Sequence, residues 1–302
     1  MSDETAISWT EHTFSPWWGC SRVSAACQSC YADTLASRWG HHLWGVNADR
    51  KVVADATWRK PLTWDRAAAK EGRPALVFCA SMADVFEART ELDKPRERLW
   101  GLIEATPHLR WQLLTKRPEN VAGMVPWAPG AWPSHVWLGA TVEQQRFAED
   151  RIGHLFAAGP RLVFISAEPL LGRLDLTGIL GNSLDPSVGQ AIGWVIAGGE
   201  TGRKARPTHP EWLRSLHDEC ADWGVPFHLK QLGEWTAATH PSYSWYGKEP
   251  DAWVNEVTGK TATEDEARAA GGSWCAMYRV GKRAAGRRFA GVTHDGFPAV
   301  TS

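Results

Sequence analysis

The chain has 302 residues, 43% of them hydrophobic and 22% charged, the composition of a globular protein able to bury a sizeable core in one large domain or two small ones. Its net charge of −1 excludes a bulk electrostatic grip on nucleic acid, though not a local one. No uncharged apolar stretch reaches the roughly 18 residues of a membrane helix, and the start, MSDETAISWTEHTF, has neither a basic n-region nor an apolar h-region, so no membrane partner is expected and the cytoplasm is the expected compartment.

A first strand is predicted over Thr13–Trp18, directly before the most informative feature of the chain, Cys20-x6-Cys27-x2-Cys30 followed at once by Tyr31. Three clustered thiolates are too many for one disulfide and one short of a closed four-thiolate site. That count suits a cluster or metal with one position open to a substrate or cofactor. In a reducing compartment metal or cluster chemistry is favoured over disulfides. Two other readings of the same residues stand beside it. Cys27 and Cys30 could form a redox dithiol, although no thioredoxin-like βαβ pattern follows. Structural zinc could take His12, His41 or His42 as its fourth ligand.

Six short apolar runs follow: Ala75–Ala80, Trp111–Leu114, Val136–Ala140, Leu162–Ser166, Trp194–Ala197 and Phe227–Leu229. Their starts lie 25 to 36 residues apart, room for a strand and a crossover helix. Continuous rather than alternating hydrophobicity marks strands buried on both faces. Between them, Asp93–Ala105 carries Leu99, Leu102 and Ile103 on one helical face. After Thr208-His209-Pro210, the residues Trp212, Leu213, Leu216, Cys220 and Trp223 form a second helical stripe closed by Gly224. Cys79 and Cys220 read as buried packing residues, and Cys275 has no assignable role. Six or seven βα units predict a full or partial (β/α) barrel over residues 1–233, with an open doubly wound sheet as the alternative. Residues 234–278 lack a clear period, so 234–302 reads as an irregular extension or lid over the barrel mouth. It ends in a basic cluster of Arg279, Lys282, Arg283, Arg287 and Arg288 that could bind phosphate or nucleic acid, or simply face solvent.

Barrel sites lie at the carboxyl ends of strands. Here those ends carry Ser81 and Asp84, then Thr115, Lys116 and Arg117, then Thr141 and Glu143, Ser166 and Glu168, Gly198-Gly199-Glu200, and Lys230 with Gln231. A single polar residue after a strand ordinarily caps or solvates it, whereas a full set on one rim points to a site. Glu168, Glu200, Asp84 and Lys116 are the expected cofactor or substrate contacts. Lys116 with Arg117 could hold a carboxylate or phosphate. The paired glycines would let backbone approach a ligand closely, or mark an ordinary turn.

Several segments together resemble a phage and bacterial family named after phage gene products thirty-seven and sixty-eight. They are Ile7-Ser8-Trp9-Thr10-Glu11, Gly19-Cys20 to Cys30-Tyr31-Ala32, Ser81-Met82-Ala83-Asp84-Val85-Phe86, Leu114-Thr115-Lys116-Arg117-Pro118, Ser166-Ala167-Glu168-Pro169-Leu170-Leu171-Gly172, Gly198-Gly199-Glu200-Thr201-Gly202, Lys230 to Trp235 and Gly281 to Arg287. That family in turn is similar to the radical S-adenosylmethionine superfamily. The resemblance implies a partial barrel and a [4Fe–4S] cluster on Cys20, Cys27 and Cys30 whose open iron chelates S-adenosylmethionine. It also implies a 5′-deoxyadenosyl radical acting on a substrate that no motif names, possibly a nucleotide or nucleic acid, and a reducing partner such as a flavodoxin or ferredoxin. On this reading Lys116 and Glu168 are candidate catalytic residues, and Tyr31, Ser81, Asp84, Gly198, Gly199 and Glu200 candidate cofactor contacts. The superfamily's usual spacing is C-x3-C-x2-C, whereas the first gap here is six residues. Its Gly-Gly-Glu motif ends the second strand, whereas the similar triplet here ends the sixth. The rival from another class is a phage-related nucleic-acid-binding or repair protein with a structural cluster or zinc.

Overall fold

The computed structural model describes residues 5–182, 191–238 and 248–299. The chain divides into two compact units, residues 1–141 with 150–164, and 142–149 with 165–302.

The first unit holds β1 (His12–Thr13), β2 (Trp17–Trp18), β3 (Lys51–Val52), β4 (Ala75–Cys79), β5 (Leu109–Thr115) and β6 (Val136–Thr141). β1, β4, β5 and β6 pair in parallel, each with the next. The expected first strand, Thr13–Trp18, is instead two strands. Pro16 offers no N–H to a ladder, so β1 stops short of it and Trp17–Trp18 turns away to pair antiparallel with β3. β5 is buried along nearly its whole length, as a strand covered on both faces must be. The helix over Asp93–Glu104 buries Leu99, Trp100, Leu102 and Ile103, the predicted face with one tryptophan added. Gly139 interrupts the bulky run of β6 because a Cβ there would sit 2.5 Å from the Phe164 ring.

β7 (Leu162–Ala167) is followed in the second unit by β8 (Ile192–Gly198) and β9 (Phe227–Gln231), which pair in parallel. β1 and β4 through β9 make one seven-stranded sheet in strict sequence order. Such an order has no switch point. It therefore rules out the doubly wound alternative and is that of a partial (β/α) barrel. The helix Pro210–Asp222 buries the predicted stripe of Trp212, Leu213, Leu216 and Cys220, with Pro210 in its first turn. Its cap is His209, whose Nδ1 accepts the Glu211 N–H.

The region expected to be irregular is ordered in good part. β10 (Trp235–Ala237), β11 (Ala252–Asn255), β12 (Thr261–Ala262) and β13 (Trp274–Arg279) form an antiparallel sheet in the order β10-β13-β11-β12. A helix, Glu264–Ala270, starts at a Thr263/Glu266 capping box. These strands hide from a periodicity reading because they are two to six residues long and mostly half-buried, without a clean alternation of faces. β14 (Arg288–Phe289) and β15 (Val292–Thr293) close a hairpin through Ala290 and Gly291. None of the helices among the described residues is long and apolar enough to cross a membrane.

Candidate functional site

The cysteine segment leaves the sheet just past β1 and is pinned by backbone before any side chain acts. Gly19 takes φ +110° and donates its N–H to the Met82 carbonyl at 3.0 Å. A Cβ there would lie 2.5 Å from the Leu43 carbonyl oxygen, so glycine is required twice over. The Cys20 carbonyl accepts the Gly45 N–H. Cys27 closes a single 3-10 turn and Cys30 precedes the helix Tyr31–Arg38. The Cys30 side chain packs against Ala32, Ala36 and Met82. Tyr31 donates its hydroxyl to the Ser81 carbonyl at 2.8 Å, while its ring stays largely exposed. It ties the helix start to the end of β4.

Beneath Cys20 lies a buried network of charge. Arg117, from the end of β5, donates to the Cys20 Sγ at 3.5 Å, to Asp84 at 3.0 Å and to the Ser21 carbonyl and hydroxyl at 2.7 and 2.9 Å. Asp84 is saturated: Oδ1 accepts Phe86 N–H and the Thr115 hydroxyl, and Oδ2 accepts Lys116 N–H and Arg117. Glu87 accepts the Ser21 N–H and hydroxyl and two donors of Arg50. Arg50 in turn holds the carbonyls of Leu43, Gly45 and Ala48. Asp84 is thus the keystone of the loop rather than an open contact. Lys116 contributes its backbone N–H here, and Arg117 is the residue that reaches the thiol. The carboxylate that the Thr-Lys-Arg run holds here is the protein's own Asp84, not a ligand's. Ser21, Arg50 and Glu87 carried no spacing signal at all.

All three cysteines are free thiols and partly exposed. Among the described residues no three His, Cys, Asp or Glu side chains are grouped as ligands, so the three share one segment without converging. Burial pushes the Cys20 thiol up to about 12, with Asp84 adding to the rise and Arg117 opposing it. It is therefore protonated at neutral pH, and ligation would release that proton. In donor type the set suits a thiolate-ligated cluster, three thiols on one segment with a guanidinium beside one of them, and ligation would have to draw the three together.

In the second unit Glu168, at the end of β7, accepts Lys230 Nζ at 2.8 Å and Gln231 Nε2 at 2.9 Å. A charged ligand group at this pair would have to displace one partner. The paired glycines serve the protein's own backbone. A Cβ on Gly199 would sit 2.0 Å from the Leu232 carbonyl oxygen, and one on Gly198 would lie 3.1 Å from Glu168 Cγ. Gly199→Ala should therefore lower stability by about 1–3 kcal/mol in denaturant unfolding. Gly178→Ala, on an exposed helix turn with nothing within 4 Å, should be neutral or stabilising; equal effects would mean the contact at Gly199 relaxes freely. Glu200 is spent on Arg206, accepting Nη2 at 2.5 Å and Nε at 2.8 Å. The carboxyl-terminal cations are similarly engaged. Arg287 donates to the Leu229 carbonyl and to Asp295, Arg279 to the Gly202 and Arg203 carbonyls, and Arg288 to the Gly291 carbonyl.

The chain is similar in structure to a cysteine-to-serine mutant of spore photoproduct lyase (TM-score 0.41, 13% identity, 72% of this chain and 62% of that chain). It is also similar to a further mutant of that lyase with bound AdoMet and dinucleoside spore photoproduct (TM-score 0.39, 12% identity, 70% and 61%). The chain thus spans about three-fifths of the lyase's length. No curated protein matches it in sequence. A family model does match, over residues 4–298, and the chain belongs to that family, described as protein of unknown function (DUF5131).

Proposed function

We propose that this protein is an iron–sulfur enzyme of the radical S-adenosylmethionine type. Cys20, Cys27 and Cys30 would hold a [4Fe–4S] cluster, with S-adenosylmethionine at the open iron. The observation that carries this reading is the set of three free, partly exposed thiols on one segment past β1, with Arg117 donating to one of them. The chemistry such a cluster would supply is one-electron reductive cleavage of S-adenosylmethionine to methionine and a 5′-deoxyadenosyl radical, the electron coming from a donor such as a flavodoxin or ferredoxin. This chain's own residues hold and shield. Arg117 offsets charge at Cys20. Tyr31 and the Ser21–Glu87 bonds set the positions of the segment's two ends. The Glu168–Lys230 pair offers a carboxylate and an ammonium to a substrate able to exchange with them. The substrate on this reading is a nucleotide or nucleic acid.

The test is anaerobic reconstitution followed by iron and sulfide analysis and electron paramagnetic resonance of the reduced protein. A [4Fe–4S]⁺ signal that changes when S-adenosylmethionine is added is expected. Zinc in place of iron, or a signal indifferent to the cofactor, would overturn the reading. Cys27→Ala should lose the cluster, and full iron content in that variant would reject the ligand assignment. A nucleic-acid-binding role with a structural metal is less supported, because Arg279 and Arg287 are spent on internal partners. It would rest on Lys282 and Arg283, and on salt-dependent oligonucleotide binding lost when both become alanine.

A further inference from the structure

The second unit carries a cavity of about 130 Å³, open to solvent on one side, that the proposed chemistry does not use. Its deep wall is apolar and buried: Leu213 of the helix Pro210–Asp222, Ala237 of β10, Met277 of β13 and Phe289 of β14. Two cations, Arg214 and Arg288, also line it, both exposed, and no acidic residue does. Arg214 lies 5.5 Å over the Phe289 ring and has Glu211 beside it; Arg288 donates to the Gly291 carbonyl. Polar groups in the wall are otherwise accounted for, since Thr208 donates to the Leu170 carbonyl and Trp235 to the Ala205 carbonyl. The exception is the Thr236 hydroxyl, buried without a partner. An apolar chamber with two guanidiniums among its lining and a stranded hydroxyl is poorly explained as core packing.

We propose that this cavity binds a single-ring aromatic anion, the ring among Leu213, Met277 and Phe289 and the anionic group against Arg214 and Arg288. Size sets the buried part of the ligand: an engineered apolar cavity of about 150 Å³ takes up benzene, so one ring fits here. Charge sets the head group. A guanidinium pairs with a carboxylate or phosphate through short, charge-assisted bonds; Glu211 shares Arg214 from outside the lining, so Arg288, which donates to the Gly291 carbonyl, carries most of the head group's charge. A ring carrying a polar atom is favoured over plain hydrocarbon, because the Thr236 hydroxyl otherwise stays unsatisfied.

Isothermal titration of the full chain with phenylacetate, phenyl phosphate and benzyl alcohol tests this, and needs no cluster. One of the two anions should bind saturably at one site with a Kd below about 1 mM; whichever is tighter tells carboxylate from phosphate. Benzyl alcohol should bind at least about tenfold more weakly. Arg288→Glu, a surface change, should weaken anion binding by a similar factor. Met277→Trp should abolish it by filling the chamber, with Ala237→Leu as the gentler filling variant should the first not fold. No saturable binding of either anion would overturn the proposal. So would equal binding of the alcohol, or binding unchanged in both Arg288→Glu and a folded filling variant.

Discussion

Glu87→Ala should destabilise the protein by about 3–5 kcal/mol, the cost of stranding a buried charge. The Arg50 side chain is fully buried and that of Glu87 is 4% exposed. Their two bonds, 2.8 Å from Nε and 2.7 Å from Nη2, are the only carboxylate contacts found for Arg50 among the described residues. Without Glu87 the guanidinium would face only the carbonyls of Leu43, Gly45, Ala48 and Asp49, and the Ser21 N–H and hydroxyl would lose their acceptor. Burial by itself raises the Glu87 pKa, but hydrogen bonds from Arg50 and Ser21 and the charges of Arg50 and Arg117 outweigh it, so the net direction is down. The carboxylate is therefore ionised at neutral pH. Its contribution is present above the unfolded carboxyl range and lost as pH falls through the lower folded value. Replacing both partners, Arg50→Met with Glu87→Leu, should recover part of the loss: the unpaired charge is gone, but Ser21 still lacks its acceptor and the carbonyls held by Arg50 lose their donor. Denaturant unfolding of the three proteins reads this directly. A Glu87→Ala variant within about 0.5 kcal/mol of the parent would mean that water reaches Arg50 and that the Cys20 segment does not depend on the network.

That network also marks where reading the sequence stops. The strands from Ala75 to Gln231 were legible because burial on both faces writes continuous apolar runs into them, and the helix after His209 because its stripe and its proline coincide. Candidate residues could be picked out too, since polar residues at strand ends and a cysteine triplet are local patterns. The assignment of partners was not. Ser21 meets Arg117 across 96 positions and Glu87 across 66, and no spacing rule links residues that only the folded chain brings together. Hence Asp84 and Glu200, chosen as open contacts, are filled by Arg117 and Arg206, while Arg50 and Glu87 went unnoticed. The glycines at 198 and 199 leave ligand approach and ordinary turn equally open for a related reason. Glycine reports a close approach but not what approaches, and here it is the backbone at Leu232.

Acidification should weaken the second unit through His228. This residue lies on β9, is 3% exposed, and has its pKa pushed down to about 4. Burial is the main cause. The charge of Arg287 adds to it, Asp295 opposes it, and Lys230 contributes a further small lowering. Arg287 donates toward Nε2 at 3.3 Å, so that nitrogen is the unprotonated acceptor and the ring proton sits on Nδ1, 3.9 Å from Asp295. An unfolded histidine titrates near 6.5. Between about 4 and 6.5 the unfolded chain therefore binds a proton that the folded chain refuses, and stability falls as pH falls across that window. Above it the full stability is present. A drop of about 2.5 pK units at 1.36 kcal/mol each predicts a loss of about 3 kcal/mol by the lower end. Carboxylates titrate over part of the same range, so the informative quantity is the difference between the parent and His228→Gln in urea unfolding at pH 7 and at pH 4.5. The variant should lose markedly less stability on acidification. Arg287→Met, which removes a charge that holds the ring neutral, should shrink the parent's loss partway. Equal pH dependence in the parent and His228→Gln would mean that the imidazole is hydrated in the folded protein and that Arg287 is a surface residue after all.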